Sequence, residues 1–202
     1  MKWCAQQKKA YRVVSVEELS RITGSVHHEG VCIVAKELQP LSFSECVNSL
    51  KDPKICLLYL DGVQNPHNIG SILRTCAHFG IPYILGDRLP ILSPSACRIA
   101  KGGAEVVKLV QLDKPSAAIQ KLKEMGFSFV GTSSHGGASL YRTPLPPRTV
   151  LAFGAEDKGM SPALLKQTTL NVQIPGTNAV ESLNVSVATS LCLGEYIRQH
   201  GS

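Results

Sequence analysis

The sequence lacks the patterns that mark several common protein classes. It contains no G-x-G-x-x-G and no P-loop pattern, so a dinucleotide site and a nucleotide phosphate loop have no support. None of the seven cysteines stands in a C-x-x-C pair, which predicts neither a metal site nor a disulfide framework. No apolar stretch reaches the length of a bilayer crossing, which predicts no membrane span. Polar sequence follows Met1-Lys2-Trp3-Cys4, which predicts no signal peptide.

The composition that is present is globular and basic. Hydrophobic residues make up 44% and charged residues 18% of 202 residues, enough for one α/β domain with a small appendage. The formal charge of +6 favours a polyanionic partner such as nucleic acid. A mildly basic soluble enzyme explains the charge equally well, because no long block of Lys and Arg occurs. Cysteines in apolar runs, such as Cys56, are typical of reduced, buried thiols in a cytosolic protein.

Three regions can be separated along the chain. Residues 1–30 are basic, include a helical pattern from Val16 to Ile22, and are too short to bury a core of their own. Residues 31–54 are predicted to be a linker that begins with a short strand at Val31 to Val34. Residues 55–202 alternate strand and helix patterns, which predicts an α/β fold with a mostly parallel sheet and helices on both faces. The predicted strands are 55–60, 83–85, 106–110, 127–132, 150–153 and 170–174; the predicted helices are 69–79, 115–125 and 185–200, with others opening at 93–94 and 161–162.

Ligands of open α/β sheets bind in the loops beyond the carboxyl ends of the strands, and the first candidate loop follows the strand at 55–60. Turn-forming residues lead from Leu60 into a helix, for which Asn68 is placed as the N-cap. Arg74 follows within two helical turns. A helix cap and a solvated arginine explain this loop when it is considered alone.

Two further loops carry polar residues after predicted strands. One follows Phe153 and holds two glycines together with Glu156, which can accept hydrogen bonds from a hydroxyl or an arginine. The other follows Ile174 and enters the last helix, which either Ser182 or Asn184 can cap. A turn and a capped helix explain these loops when each is considered alone.

In chain order the three loops spell N-x-G-x-x-x-R, F-G-x-E-x-x-G, and I-P followed by S-L-N-V-S. From Ile55 to the C-terminus the chain therefore resembles the SpoU/TrmH family of SPOUT-class RNA ribose methyltransferases. The resemblance implies transfer of a methyl group from S-adenosyl-L-methionine to a ribose 2′-hydroxyl of tRNA or rRNA. It also implies a C-terminal trefoil knot, which sequence patterning alone does not reveal.

The same resemblance assigns roles to residues at the matching positions. The implied catalytic residues are Asn68, Arg74, Glu156, Ser182 and Asn184. The implied cofactor pocket is built from the backbone of the knot loops, at Thr132, Gly154, Ile174 and Leu183. Close approach of backbone to the cofactor agrees with glycine at Gly154 and Gly159. No metal is required, because the sulfonium carries its own leaving group.

Arg74 matches the arginine that the family uses in catalysis. A guanidinium keeps its proton, since its pKa lies above about 12, and it has no acceptor atom. We therefore interpret Arg74 as an electrostatic clamp on a phosphate or on the developing alkoxide, not as a base. Asn68 and Glu156 are expected to orient Arg74 and the ribose, and Ser182 and Asn184 to complete the hydroxyl-binding shell.

Family resemblance also implies a homodimer whose interface includes the last helix. The segment Val185–Ile197 is apolar on more than one face, which favours burial against the core and a partner together. A helix buried within one subunit explains this pattern equally well without the resemblance.

The N-terminal stretch resembles the end of an L30e-like RNA-binding domain and its linker. On this interpretation the chain begins inside that domain and lacks most of its RNA-recognition module. The alternative interpretation is a small arm that contacts phosphates through Lys8, Lys9 and Arg12.

The chain departs from the family pattern at the predicted cofactor rim. Gly176 and Asn178 stand where Met and Gly often follow Ile-Pro, and Asp157 stands where Gly is common. These departures keep a second hypothesis open, a knotted RNA-binding or assembly protein without methyltransferase turnover. The intact set of implied catalytic residues favours the enzyme.

Overall fold

A computed structural model describes residues 2–134, 136–177 and 179–201, and the chain divides into two compact units between Glu37 and Leu38. The first unit contains helices α1 (Lys2–Gln6) and α2 (Val16–Thr23). Helix α2 begins at the Ser15 cap, whose side chain accepts a hydrogen bond from the Glu18 backbone N–H, and it ends at Gly24 in the left-handed conformation. Leu19 is the buried residue of α2, and α1 buries none, so this unit has little core of its own.

The predicted helix from Val16 to Ile22 is confirmed, whereas the predicted strand from Val31 to Val34 is wrong. These residues have no regular structure, and Val34 is 95% exposed. An apolar, β-branched run forms a strand only where another strand supplies hydrogen bonds and a face to pack on.

The second unit holds an eight-stranded sheet and seven α-helices in the described part of the chain. The strands are β1 (Leu41–Ser42), β2 (Ile55–Asp61), β3 (Tyr83–Gly86), β4 (Lys108–Gln111), β5 (Ser128–Ser133), β6 (Ala138–Ser139), β7 (Arg148–Gly154) and β8 (Leu170–Gln173). The helices are α3 (Phe43–Ser49), α4 (Pro66–Phe79), α5 (Pro94–Ala100), α6 (Gly103–Val106), α7 (Pro115–Glu124), α8 (Pro162–Leu165) and α9 (Val185–His200), and a 3₁₀ helix spans Leu140–Arg142.

The sheet order is β1-β4-β3-β2-β7-β5-β8-β6, and all the pairings between these strands are parallel. This confirms the predicted α/β class and the parallel sheet. Strands β2 and β7 lie side by side although they are far apart in sequence, and Asp61 at the end of β2 pairs with Gly154 at the end of β7. The loops that follow these two strands therefore start next to each other, where open α/β sheets commonly bind ligands.

The core lies on both faces of the sheet, because alternate residues of each central strand point to opposite sides. In β2, Leu58 and Leu60 belong to the cluster formed with α4 and α9, whereas Leu57 and Tyr59 belong to the cluster formed with α3 and α7. Such strands read as continuous apolar runs, which is why the sequence pattern located β2 and β7 so closely.

The segment 31–54, predicted as a linker, contains regular structure in its second half. Strand β1 pairs with β4, and α3 begins with a capping box between Ser42 and Glu45. Cys46 is fully buried against the sheet. Both elements are too short to show a periodic pattern in the sequence. Val106 also differs from prediction, since it ends α6 and does not belong to β4.

None of the helices in the described ranges combines the length and apolar character that a bilayer crossing requires. The trefoil knot, the L30e-like origin of the N-terminal unit and the exact domain bounds stay predictions.

Candidate active site

Three of the predicted site residues form a closed set of hydrogen bonds at the carboxyl edge of the sheet. The Asn68 side-chain amide donates to Oε1 of Glu156 at 2.9 Å, and the Asn184 amide donates to the same oxygen at 2.8 Å. The Asn184 amide also donates to Oδ1 of Asn68 at 3.0 Å. Helix α4, the loop after β7 and the start of α9 thus each contribute one side chain to a single cluster, here called the Asn–Glu–Asn cluster.

The orientation of both amides follows from their partners. Oδ1 of Asn184 accepts a hydrogen bond from the Ser186 backbone N–H at 2.9 Å. Because a backbone N–H can only donate, the atom that faces it must be the oxygen of the Asn184 amide. The Asn184 side-chain nitrogen therefore faces Glu156 and Asn68. The Asn68 nitrogen faces Oε1 of Glu156, which accepts hydrogen bonds from both amides. This assignment gives the side-chain nitrogen and oxygen of both asparagines partners of the right kind.

Asn68 does not cap α4, so the predicted cap is wrong. Asn65 is the N-cap, with its side chain accepting from the His67 N–H at 2.9 Å, and Pro66 follows at the first helical position. Asn68 lies in the first turn and is only 6% exposed. A buried amide needs partners, and Glu156 and Asn184 supply them.

The question of which residue caps α9 is resolved in favour of Asn184. Ser182 lies two residues before it, is exposed and lines the cavity described below. No hydrogen bond links Ser182 to another residue in the ranges that the structure describes.

Arg74 lies outside the Asn–Glu–Asn cluster. It is six residues beyond Asn68 on α4, so the two side chains point about 120° apart around the helix axis. Asn68 is buried while Arg74 is exposed, and within the described residues no ion pair or hydrogen bond holds the guanidinium. The expectation that Asn68 and Glu156 orient Arg74 is therefore not met in this structure.

A cavity of about 700 Å³ opens beside the Asn–Glu–Asn cluster. All four predicted cofactor-binding residues line it, at Thr132, Gly154, Ile174 and Leu183. Glu156 and Ser182 line it as well, whereas Asn68, Arg74 and Asn184 do not. Glu156 is thus the one residue of the cluster whose side chain belongs to both features.

The rim of the cavity includes the positions where the chain departs from the family pattern. Gly176 and Asp157 both line the cavity, and Asp157 is exposed. Gly176 is outside the left-handed region and has open space where a Cβ would lie, so its backbone does not require glycine. Asn178 lies outside the described residues.

The need for glycine at Gly154 has a different physical reason from the one predicted. An added Cβ would lie 2.0 Å from the carbonyl carbon of Gly159 and 2.1 Å from the backbone nitrogen of Met160. A hydrogen bond from the Gly159 N–H to the Ala155 carbonyl at 2.8 Å closes the 155–160 loop. The backbone of Gly159 and Met160 therefore packs directly against Gly154. Close approach of the chain to itself requires this glycine, whether or not a ligand binds.

We expect Gly154→Ala to lower the free energy of unfolding by about 1–3 kcal/mol, because overpacking against backbone cannot be relieved by a rotamer change. Urea unfolding measures the effect. Gly176→Ala is the matched control on the same cavity, and it should change stability by less than about 0.5 kcal/mol. Equal stability of the two variants would contradict the close contact at Gly154.

We expect Asn184→Ala to lower the melting temperature by about 2–4 °C. Loss of an N-cap lowers the free energy of unfolding by about 1 kcal/mol, and in a protein of this size that change corresponds to a shift of a few degrees. Asn184→Ser keeps a capping oxygen and loses the amide donors, so it should retain most of the stability. Differential scanning calorimetry compares the two. If both variants melt alike, the contribution of Asn184 comes from its bonds to Glu156 and Asn68 and not from the cap.

Cys192 also lines the cavity and is fully buried. Burial raises the pKa of its thiol to about 12, so it stays protonated at neutral pH and is a poor nucleophile. No group of three or more metal-ligating side chains was found among the described residues.

Asp61 has no role in the sequence motifs, but the structure places it at the centre of this edge. Asp61 is 7% exposed, and its Oδ2 accepts a hydrogen bond from the Ser161 backbone N–H at 2.7 Å. The available signal was a carboxylate at the end of a buried strand, directly before a turn.

The fold and this edge define a class, the parallel α/β proteins that bind a ligand where loops from neighbouring strands meet. Residues 55–194 match the SpoU rRNA methylase family, and residues 1–41 match the RNA 2′-O ribose methyltransferase substrate-binding family. The chain belongs to the SpoU rRNA methylase family.

Individual relatives agree with this assignment. The chain is 38% identical over 201 residues to an uncharacterized tRNA/rRNA methyltransferase, YfiF, of Escherichia coli O157:H7. This match covers 99% of this chain and 58% of that protein. It is 34% identical over 187 residues to the 23S rRNA (guanosine-2′-O-)-methyltransferase RlmB of Nitrosomonas europaea, with 91% of this chain and 72% of that protein covered. The chain thus spans little more than half the length of the first of these relatives.

A solved structure shares the fold. A Porphyromonas gingivalis protein assigned to the TrmH family of RNA methyltransferases superposes with a TM-score of 0.67 and 30% identity, and covers 81% of this chain and 62% of that one.

Proposed function

We propose that this protein transfers a methyl group from S-adenosyl-L-methionine to a ribose 2′-hydroxyl of tRNA or rRNA. The observation that carries the proposal is the Asn–Glu–Asn cluster at the mouth of the cavity. A helix cap alone would not place two amide donors on one carboxylate oxygen. Family membership, which the rRNA methylase match establishes, supports the same activity.

The cavity fits the cofactor in size and charge. Its volume of about 700 Å³ lies within the usual range for small-molecule sites. Carboxylates at Glu156 and Asp157 line it beside Lys158, which suits a ligand that carries a sulfonium cation. Thr132, Gly154, Ile174 and Leu183 would hold the cofactor through the backbone of their loops. When bound, it supplies an electrophilic methyl group.

Glu156 is the proposed acceptor for the hydrogen of the ribose hydroxyl. Asn68 and Asn184 occupy its Oε1, so its orientation is fixed and Oε2 is left to face the substrate. Oε2 of Glu156 would accept the proton that the ribose 2′-hydroxyl gives up when its oxygen receives the methyl group. Asn68 and Asn184 act as positioning residues, and Ser182 adds a hydroxyl at the rim of the cavity.

Arg74 is proposed to contact RNA, not cofactor. Its exposed guanidinium has no ion-pair partner among the described residues and is free to bind a phosphate in the bidentate geometry that arginine favours. The match of residues 1–41 to the substrate-binding family supports RNA as the partner.

We also propose a homodimer through the knot region and a location in the cytoplasm. Val187 and Leu191 lie one turn apart on α9 and are 46% and 36% exposed, while the opposite side of the helix is buried. An apolar exposed stripe of this kind suits a partner helix. Free, buried thiols such as Cys56 and Cys76 suit a reducing compartment.

The proposal is tested first by calorimetry with S-adenosyl-L-methionine, for which we expect saturable binding. Mapping of 2′-O-methyl sites in RNA from a strain that lacks the gene should then reveal a site that is lost, returns with the intact gene, and does not return with Arg74→Ala. Absence of binding at millimolar cofactor would contradict the proposal and favour an RNA-binding or assembly protein without turnover.

A further inference from the structure

We infer that Asp61 is a positioning residue for the candidate active site, since its carboxylate fixes the end of the 155–160 loop that carries Glu156. The link to catalysis rests on the proposed function, whereas the contact itself does not. Asp61 lies outside the cavity lining and outside the Asn–Glu–Asn cluster.

The contact between Asp61 and Ser161 is buried and charge-assisted. The Asp61 side chain is 8% exposed, and its Oδ2 lies 2.7 Å from the Ser161 backbone nitrogen. A carboxylate–amide bond of this length is stronger than one between neutral groups. Because a buried carboxylate without partners is costly, Asp61 holds the Ser161 N–H in place instead of turning toward solvent.

The loop between Glu156 and Ser161 has little freedom to absorb a shift of either end. Its first end is set by the pairing of Gly154 with Asp61 in the sheet, and its middle is closed by the bridge between Ala155 and Gly159. Asp61 thus fixes both the entry of the loop, by strand pairing, and its exit, by its side chain. Release of the exit would move the backbone that presents Glu156 to Asn68 and Asn184.

A second partner of Asp61 contributes less. Arg88 lies 3.9 Å from Oδ1 of Asp61, and its side chain is 69% exposed. Exposed ion pairs of this length contribute little, because water and salt screen them. The positioning role is therefore assigned to the bond with Ser161.

The test compares Asp61→Ala, Asp61→Asn and Arg88→Gln in the full chain. Hydrogen exchange measures protection of the Ser161 amide, and single-turnover methylation measures the rate at saturating cofactor with RNA from the gene-deletion strain. We expect Asp61→Ala to lose Ser161 protection and to slow methylation by about 10- to 100-fold, since small misplacements of catalytic groups have effects of this size. Asp61→Asn retains an acceptor oxygen and should recover most of the rate.

Two outcomes separate positioning from general stability. Thr149→Ala removes a fully buried hydroxyl at the opposite end of β7, where it bonds the Pro146 carbonyl, and serves as the stability control. An equal loss of rate in this control at matched stability would overturn the inference, as would a loss of Ser161 protection in Arg88→Gln. Where Asp61→Ala does not fold, Asp61→Asn still decides: a loss of methylation rate in this variant with Ser161 protection retained would overturn the inference.

Failure of the inference is distinguishable from failure of the proposed function. Wild-type protein that transfers no methyl group contradicts the proposed function alone, because Ser161 protection is measured without cofactor or RNA. Unchanged protection in folded Asp61→Ala overturns the inference alone.

Discussion

Glu156→Gln should slow methyl transfer at saturating cofactor by about 10²- to 10⁴-fold, the range expected when a general base is lost. The substitution preserves the cluster, because the glutamine oxygen can accept the same two hydrogen bonds from Asn68 and Asn184. It places an NH₂ group where Oε2 lies, and this group cannot accept a hydrogen from the ribose hydroxyl. Single-turnover rates at saturating cofactor measure the effect.

The matched control for Glu156→Gln is Asp157→Asn. Asp157 is the next residue of the same loop, is exposed and lines the same cavity, so its neutralisation changes the charge of the cavity by the same amount. We expect this control to change the rate by less than about 10-fold. Equal losses in the two variants would mean that the charge of the cavity matters and not the position of one oxygen, and a wild-type rate for Glu156→Gln would remove Glu156 from the reaction.

The sequence predicted the sheet well because its central strands are buried on both faces. Strands β2 and β7 read as continuous apolar runs, and the helices between strands have clear caps such as Ser93 and Ser161. The short elements β1 and α3 were missed, since a two-residue strand has no periodicity to detect. The apolar run at Val31–Val34 predicted a strand that does not form, because a strand depends on partners that no local pattern specifies.

The candidate site was predictable as a set of residues but not as a geometry. The order of the motifs predicted that Asn68, Glu156 and Asn184 belong to one site. In the structure, hydrogen bonds join the three side chains. The pattern could not reveal that Asn65 caps α4 and leaves Asn68 free to turn inward. It could not reveal Asp61 either, because its contact with Ser161 depends on the pairing of β2 with β7.

Arg74→Ala should slow methylation by about 10²- to 10³-fold, the usual cost of removing one electrostatic contact to developing charge or to a substrate phosphate. The melting temperature and the cofactor affinity should not change, because Arg74 is exposed and lies outside both the cavity lining and the Asn–Glu–Asn cluster. Arg74→Lys keeps the charge without the planar fork and should recover only part of the rate.

Salt dependence distinguishes the two contacts open to Arg74. If the guanidinium binds a phosphate, Arg74→Ala should lower the slope of log affinity for RNA against log salt by about one unit, whereas a contact made only to the alkoxide leaves that slope unchanged. Arg98→Ala, which removes another exposed arginine from the neighbouring helix α5, controls for the general loss of positive charge. It should weaken RNA binding without the loss of rate at saturating RNA. Full methylation by Arg74→Ala, with cofactor binding intact, would exclude a role for Arg74 in catalysis.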